Sequence, residues 1–96
     1  MEFEWDLRKA AANFAKHGVG FSEAMNVFGD PLEVMIADPD HSEGEFRFLS
    51  IGVSAAGRVL VVAYTEREER TRLINARKAT AKERKQYAST SPRGRS

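Results

Sequence analysis

Apolar residues recur at helical spacing near the start of the chain. Between residues 7 and 14 they occupy positions i, i+3, i+4 and i+7, which predicts a helix with one buried apolar face. The four apolar positions are Leu7, Ala10, Ala11 and Phe14. Asp6 is the predicted N-cap, Gly18 the predicted C-terminal stop, and polar residues such as Asn13 are left on the other faces.

Two further helices are predicted. Apolar residues from Phe21 to Phe28 repeat the helical spacing, with Ser22 as N-cap, so a second, shorter helix is expected there. Thr80 and Glu83 match the capping box, in which each side chain hydrogen-bonds the other residue's backbone N–H. This signal predicts a short C-terminal helix that ends near Tyr87.

Between these helices the hydrophobic period changes from 3.6 to 2, which indicates β-strands. The four segments are 32–36, 46–51, 58–65 and 71–77. The third is apolar on both faces and is therefore expected at the centre of its sheet. Because the connections are too short for parallel crossovers, we predict an α+β fold: two N-terminal helices, a four-stranded antiparallel sheet with the helices on one face, and a short C-terminal helix.

Composition excludes several classes of protein. The 96 residues contain no cysteine, which excludes a disulfide scaffold, thiolate metal sites and thiol catalysis. No segment resembles a signal peptide or a membrane span, so we expect a cytoplasmic protein without membrane contact. Residues 1–88 are expected to form one domain, and the polar segment 89–96 a mobile tail.

Charge is distributed unevenly along the chain. Residues 1–45 contain ten acidic and three basic residues, whereas residues 46–96 contain twelve basic and four acidic residues. Such an asymmetry suggests a polyanionic partner or two oppositely charged protein partners, although sequence halves need not be spatial halves.

Motifs spread along the chain resemble one known family, the BrnT toxins of bacterial type II toxin–antitoxin systems. The matching segments are Phe3-Glu4-Trp5-Asp6, residues 13–19, Phe21-Ser22-Glu23-Ala24, residues 28–31, Gly44-Glu45-Phe46-Arg47, Ile51-Gly52, residues 59–62, Arg67, residues 72–80, Glu83-Arg84 and Tyr87. Each segment alone is weak, but their order and spacing make the match specific. Asn75 departs from the family pattern, in which serine is expected.

This resemblance implies a RelE-like fold and a ribonuclease activity that arrests translation. It also implies neutralisation by a BrnA-type antitoxin with a ribbon-helix-helix DNA-binding pattern, in a complex of two toxins and two antitoxins. Operator DNA would then be bound only through the antitoxin. No cofactor or metal is expected, because the chain has no glycine-rich phosphate loop and no metal-ligand spacing.

Metal-free RNA cleavage requires an acid, a base and cations for the phosphate. His17, Arg67, Arg77 and Lys78 are the candidate catalytic residues. Histidine is the residue type best suited to acid–base chemistry near neutral pH, which makes His17 a candidate, but it is equally well placed as a helix-terminal residue. A curled sheet could bring Arg67 close to Arg77 and Lys78. The alternative for each is a solvated charge or an ion pair with a glutamate of the charged turn, namely Glu66, Glu68 or Glu69.

Candidate RNA-binding residues follow from the basic strands and the last helix. They are Arg47, Arg72, Lys82, Arg84 and Tyr87. Strand alternation places Arg47 and Arg72 on one open sheet face, where they could bind phosphate. Lys82 and Arg84 could instead be a solvated helical face, and Tyr87 a packing residue against the first two helices.

Two other classes of function remain open from the sequence. One is a module that binds RNA, the ribosome or operator DNA without cutting it. The other is a structural partner of a DNA-binding repressor. The endoribonuclease interpretation is favoured because a cationic cluster, a near-neutral acid/base group and the family pattern coincide.

Overall fold

The computed structural model describes residues 2–38 and 45–90. The strands are β1 (Glu2–Glu4), β2 (Val34–Ala37), β3 (Arg47–Val53), β4 (Val59–Arg67) and β5 (Arg70–Lys78). The helices are α1 (Leu7–His17), α2 (Phe21–Ala24) and α3 (Ala81–Thr90), with a 3-10 turn at Met25–Gly29 directly after α2. In these described ranges every helix is too short or too polar to cross a lipid bilayer.

The strands form a five-stranded mixed sheet in the order β1-β5-β4-β3-β2. Each strand from β2 to β5 is antiparallel to its neighbour, and β4 is central, as predicted. The prediction of a four-stranded, purely antiparallel sheet is wrong, because β1 adds a fifth strand that runs parallel to β5. Three residues are too few to show alternation, so β1 has no recognisable period in the sequence.

The larger part of the core lies on one face of the sheet. Leu60 and Val62 of β4 point to this face and pack against α2 and the 3-10 turn. The other buried members are Val19, Phe21, Ala24, Val27, Tyr64, Leu73 and Ala76. Phe3 and Trp5 pack at its margin, so the first strand closes the core rather than extending into solvent.

Helix α3 covers the opposite face, so the prediction of helices on one face is wrong. Val61, whose side chain points away from Leu60, packs with Ile51, Ala79 and Tyr87. The capping box at Thr80 and Glu83 is present, with backbone-to-side-chain distances of 2.8 and 3.2 Å. The helix continues to Thr90, beyond its predicted end, and residues 91–96 of the predicted tail lie outside the described ranges.

The buried face of α1 differs from the predicted one. Leu7 is 80% exposed and Phe14 52% exposed, so these two residues of the predicted stripe do not face the core, although Ala10 packs against it. Asn13 is buried instead, and its amide hydrogen-bonds the backbone of Ala76 in β5. Helix α1 therefore lies along the β5 edge of the sheet, where the Asn13 amide satisfies backbone groups of the strand that would otherwise be buried without a partner.

The caps of α1 agree with the sequence, whereas those of α2 do not. Asp6 accepts hydrogen bonds from the backbone of Arg8 and Lys9, and Gly18 takes the left-handed conformation at φ 70°. Helix α2 begins after Gly20, so the prediction of Ser22 as its N-cap is wrong. The second helical segment also tightens into the 3-10 turn after Ala24, which a 3.6-residue period does not distinguish.

Candidate nucleic-acid interface

A cavity of about 300 Å³ opens on the part of the sheet face that α3 leaves uncovered. Four basic side chains line it: Lys9, Arg47, Arg67 and Arg72. Glu45, Thr65 and Ile74 complete the lining. The cavity thus combines a concave shape with an excess of cations, which is the arrangement that attracts a polyanion.

Strand register builds the floor of this cavity. Arg47 of β3 lies opposite Thr65 of β4, and Thr65 lies opposite Arg72 of β5. Residues directly opposite each other share a sheet face, so the two arginines flank the threonine on the face that α3 partly covers. Because neighbouring strands are about 4.8 Å apart, the arginine Cα atoms are about 10 Å apart.

Arg67 contacts the carboxylate of Glu45 at the rim of the cavity. Its Nε and Nη2 donate to Glu45 at 2.8 to 3.0 Å. These hydrogen bonds lower the pKa of the Glu45 carboxyl and raise the pKa of the Arg67 guanidinium. Both side chains are more than a third exposed, so solvent screens the ion pair. Either side chain can therefore leave the other and contact a ligand.

Arg72 and Arg47 also have carboxylates nearby. Arg72 Nη1 donates to Glu4 at 2.8 Å, and Arg47 Nε lies 4.0 Å from Asp38. Both acids come from the acidic first half of the chain and both arginines from the basic second half. In the folded chain, acidic side chains of the first half therefore neutralise some basic side chains of the second half. Only the remaining positive charge is available to bind a partner.

The candidate catalytic residues do not form one cluster. Arg67 lies opposite Arg70 at the β4–β5 turn, whereas Arg77 lies opposite Val61 and Lys78 opposite Leu60. The expectation that Arg67 approaches Arg77 and Lys78 is therefore wrong, because the positions are about 20 Å apart along the strands. The antiparallel hairpin separates them to opposite ends of the sheet.

His17 lies away from the cavity. It follows Lys9 by eight residues in α1, which is about 12 Å along the helix axis. The next residue, Gly18, accepts a hydrogen bond from Arg58 at the start of β4, so His17 is at the end of the sheet that carries Arg77 and Lys78. The cavity and His17 consequently belong to different parts of the surface.

Arg77 has a strong structural partner. Its guanidinium donates to both carboxylate oxygens of Glu83, at 2.7 and 2.9 Å. Together with the Thr80 backbone, this lowers the pKa of Glu83 to about 2, and the same hydrogen bonds raise the pKa of Arg77. The pair fixes the start of α3 to the end of β5, with Glu83 rather than one of the turn glutamates as partner of Arg77.

The candidates on α3 are also distant from the cavity. Lys82 and Arg84 line a shallow depression on the helix surface, and Arg84 donates to the backbone of Ala79 at 2.9 Å. Tyr87 packs in the second core cluster, and its hydroxyl donates to Asp30 at 2.6 Å. Tyr87 thus anchors α3 to the sheet, on the face opposite the one that the first two helices cover.

Four residues of the cavity are not among the sequence-predicted site residues: Lys9, Glu45, Thr65 and Ile74. The sequence pattern places Lys9 in a predicted helix, Glu45 in a family motif, and Thr65 and Ile74 in predicted strands. Thr65 is 6% exposed and its hydroxyl has no hydrogen-bond partner among the described residues. Alternation alone could have placed Thr65 on the Arg47 face, but the register that aligns them is tertiary information.

Comparison with known proteins supports this picture of the fold. The chain resembles the 1.1 Å crystal structure of the Brucella abortus ribonuclease toxin BrnT, with a TM-score of 0.62 and 23% sequence identity. The match covers 83% of this chain and 97% of the Brucella chain. At this identity the likeness establishes a shared α+β fold. No curated protein matches the sequence significantly.

A family model assigns the chain more directly. Residues 5–83 match the model described as the ribonuclease toxin BrnT of type II toxin–antitoxin systems. This range contains α1, α2, the 3-10 turn, strands β2 to β5 and the first turn of α3, and it includes every residue that lines the cavity. The chain therefore belongs to the BrnT family of ribonuclease toxins.

Proposed function

We propose that the protein is a metal-independent endoribonuclease that cuts RNA in the cavity of the open sheet face and thereby arrests translation. The observation that carries the proposal is the cavity itself, which is lined by four basic side chains together with the carboxylate of Glu45. RNA cleavage needs cations for the charge on the phosphate and a group that accepts a proton, and both lie within this one concave surface.

Each step of a metal-free cleavage can be assigned to a residue of the cavity. Glu45 accepts the proton of the 2′-hydroxyl, and the 2′-oxygen attacks the adjacent phosphorus. The bond from phosphorus to the 5′-oxygen then breaks, and the Lys9 ammonium supplies the proton that this oxygen takes. Arg67 orients Glu45 through the hydrogen bonds described above. The products are a 2′,3′-cyclic phosphate and a 5′-hydroxyl end.

The lining of the cavity supports catalysis without a metal. Divalent cations such as Mg²⁺ bind to carboxylate and carbonyl oxygens, and they are repelled by a basic surround. Here Glu45 is outnumbered by Lys9, Arg47, Arg67 and Arg72. The guanidinium groups can stabilise the phosphate charge that a metal ion would otherwise stabilise.

An antitoxin and an RNA target are implied by membership of the family. We propose that the antitoxin is of the BrnA type, that two toxins and two antitoxins assemble in the cytoplasm, and that operator DNA is bound through the antitoxin alone. The antitoxin then neutralises the toxin by covering the basic cavity. The cations that attract RNA also attract an acidic protein surface.

The experiment is incubation of the purified protein with total RNA in EDTA. We expect cleavage into fragments with 5′-hydroxyl ends, which accept a labelled phosphate without prior dephosphorylation. Glu45→Gln should reduce the cleavage rate by about 100-fold or more, as expected when a general base is lost. Intact RNA with salt-sensitive binding would contradict catalysis and favour a binding module.

A matched variant controls for the loss of an ion pair. Glu23 also pairs with an arginine, Arg58, but at the opposite end of β4. Glu23→Gln removes a comparable carboxylate and should leave the cleavage rate within about twofold of the unmodified protein. Equal losses in Glu23→Gln and Glu45→Gln would assign the effect to folding rather than to chemistry, which circular dichroism checks independently.

A further inference from the structure

Thr65 has an environment unlike that of another buried threonine of the same hairpin. The Thr71 hydroxyl lies 3.2 and 3.3 Å from the two carboxylate oxygens of Glu66, to which it donates. The Thr65 hydroxyl has no such partner within the described part of the chain, although the residue is 94% buried at 6% exposure. A buried hydroxyl without a partner costs free energy, so its presence in a cavity points to a ligand.

The neighbours of Thr65 indicate the charge of that ligand. Thr65 stands between Arg47 and Arg72 in the register of three adjacent strands. The Arg72 guanidinium donates to Glu4 at 2.8 Å, which shows that its donors are set for an oxyanion at this point of the sheet. A phosphodiester carries the same type of acceptor, with two non-bridging oxygens that several donors can share.

Access to the hydroxyl requires an exchange of partners. The Thr65 oxygen has less than 1 Å² of accessible surface in the free protein. A phosphate therefore reaches it only when the flanking side chains move apart. The contact between Glu4 and Arg72 is only partly buried, with the two side chains 27% and 28% exposed, so an anion can replace the Glu4 carboxylate.

We propose that Arg47, Thr65 and Arg72 form a subsite for one phosphate of the RNA backbone. The two guanidinium groups bind its non-bridging oxygens, and the Thr65 hydroxyl donates the central hydrogen bond. Glu4 holds Arg72 in the absence of RNA and releases it when the phosphate enters. The inference rests on the proposed function, since it names how the same cavity holds its substrate.

The test uses a single-stranded RNA oligonucleotide with 2′-O-methyl groups, which cannot be cleaved by attack of a 2′-hydroxyl. Its affinity is measured by fluorescence anisotropy at fixed salt. Thr65→Val keeps the shape of the side chain and removes the hydroxyl, so we expect binding about tenfold weaker. Thr65→Ser retains the hydroxyl and should bind the oligonucleotide within about twofold of the unmodified protein.

Thermal unfolding in the absence of RNA provides a second readout. Because the Thr65 hydroxyl has no partner in the free protein, Thr65→Val should leave the melting temperature unchanged or raise it. The matched control is Thr71→Val, which removes a paired hydroxyl, lowers the melting temperature and leaves RNA affinity unchanged. If Thr65 had a purely structural role, Thr65→Val would lower the melting temperature and leave RNA affinity unchanged.

The experiments distinguish failure of the proposed subsite from failure of the proposed function. If Thr65→Val binds the oligonucleotide as tightly as the unmodified protein, or if Thr65→Ser loses as much affinity as Thr65→Val, the subsite is wrong while cleavage by the unmodified protein still supports the proposed function. If the unmodified protein neither cleaves RNA nor binds the oligonucleotide, both proposals fail.

Discussion

The side-chain amide of Asn13 hydrogen-bonds both backbone polar groups of Ala76. Asn13 Nδ2 donates to the Ala76 carbonyl at 2.9 Å, and the Ala76 N–H donates to Asn13 Oδ1 at 3.1 Å. Strand β1 pairs with β5 only as far as Arg72, so the edge beyond it needs another partner. The amide of α1 replaces a strand there and fixes the helix that carries Lys9 beside the cavity.

Replacement of Asn13 should therefore destabilise the fold. Asn13→Ala leaves the N–H and carbonyl of Ala76 and the carbonyl of Val19 without their partner, in a buried position. We expect the free energy of unfolding to fall by about 2 to 4 kcal/mol, measured by urea denaturation. Asn26→Ala is the control, since the Asn26 amide accepts one exposed hydrogen bond from Ala55.

Equal effects of the two asparagine variants would contradict the role given to Asn13. If Asn13→Ala and Asn26→Ala lower the free energy of unfolding by similar, small amounts, then the Asn13 amide does not hold α1 against β5. The position of Lys9 in the cavity would then lose its structural basis.

A second prediction concerns the apolar stripe of α1. Leu7 is 80% exposed, whereas Leu60 in β4 is fully buried at 0%. Leu7→Ala should change the free energy of unfolding by about 0.5 kcal/mol or less, and Leu60→Ala should lower it by about 2 to 5 kcal/mol. Urea denaturation of both variants measures the difference. Equal losses would mean that Leu7 is buried, as the helical period alone predicts.

The hydrophobic period predicted where the helices and strands lie better than it predicted which of their faces are buried. The alternating segments became β2 to β5, and β4 is central because its run is apolar on both faces. The buried side of α1 could not be predicted, because it depends on one amide that meets a strand edge distant in sequence. The same is true of α3, whose Tyr87 reaches Asp30 across the sheet.

For the candidate site, the residue types were predicted more successfully than their grouping. Alternation suggested that Arg47 and Arg72 share an open face, which the strand register now shows. Arg67 and Arg77 each stand at the end of a strand, which suggests a common group, yet consecutive antiparallel strands finish at opposite ends of the sheet. Thr65 carries no charge, so only its unpaired hydroxyl in the folded chain distinguishes it.

A third prediction follows from the lowered pKa of Glu83, which is about 2 against an ordinary value of 4.5. A carboxyl with a lower pKa in the folded state stabilises the fold above its unfolded pKa, and this contribution disappears as the pH falls from about 4.5 to 2. For Glu83, which is 22% exposed, we expect on the order of 2 to 3 kcal/mol at neutral pH.

Unfolding of Glu83→Gln between pH 7 and pH 2 measures this contribution. The difference in free energy of unfolding between the unmodified protein and Glu83→Gln should close as the pH falls to 2. In the Arg77→Gln background, Glu83→Gln should have little further effect on stability even at neutral pH. Parallel stability curves down to pH 2 would show that the Arg77–Glu83 pair does not hold α3.

RNA is cut either in the cavity, as we propose, or at the end of the sheet that carries His17. The rate of RNA cleavage in EDTA by two double variants, Arg47→Gln/Arg72→Gln and His17→Ala/Lys78→Ala, each checked for folding by circular dichroism, distinguishes the two sites. If RNA is cut in the cavity, the first variant loses cleavage by about 100-fold or more and the second keeps it within a few-fold. Full cleavage by the first variant and loss of cleavage in the second would instead locate the reaction at the opposite end of the sheet.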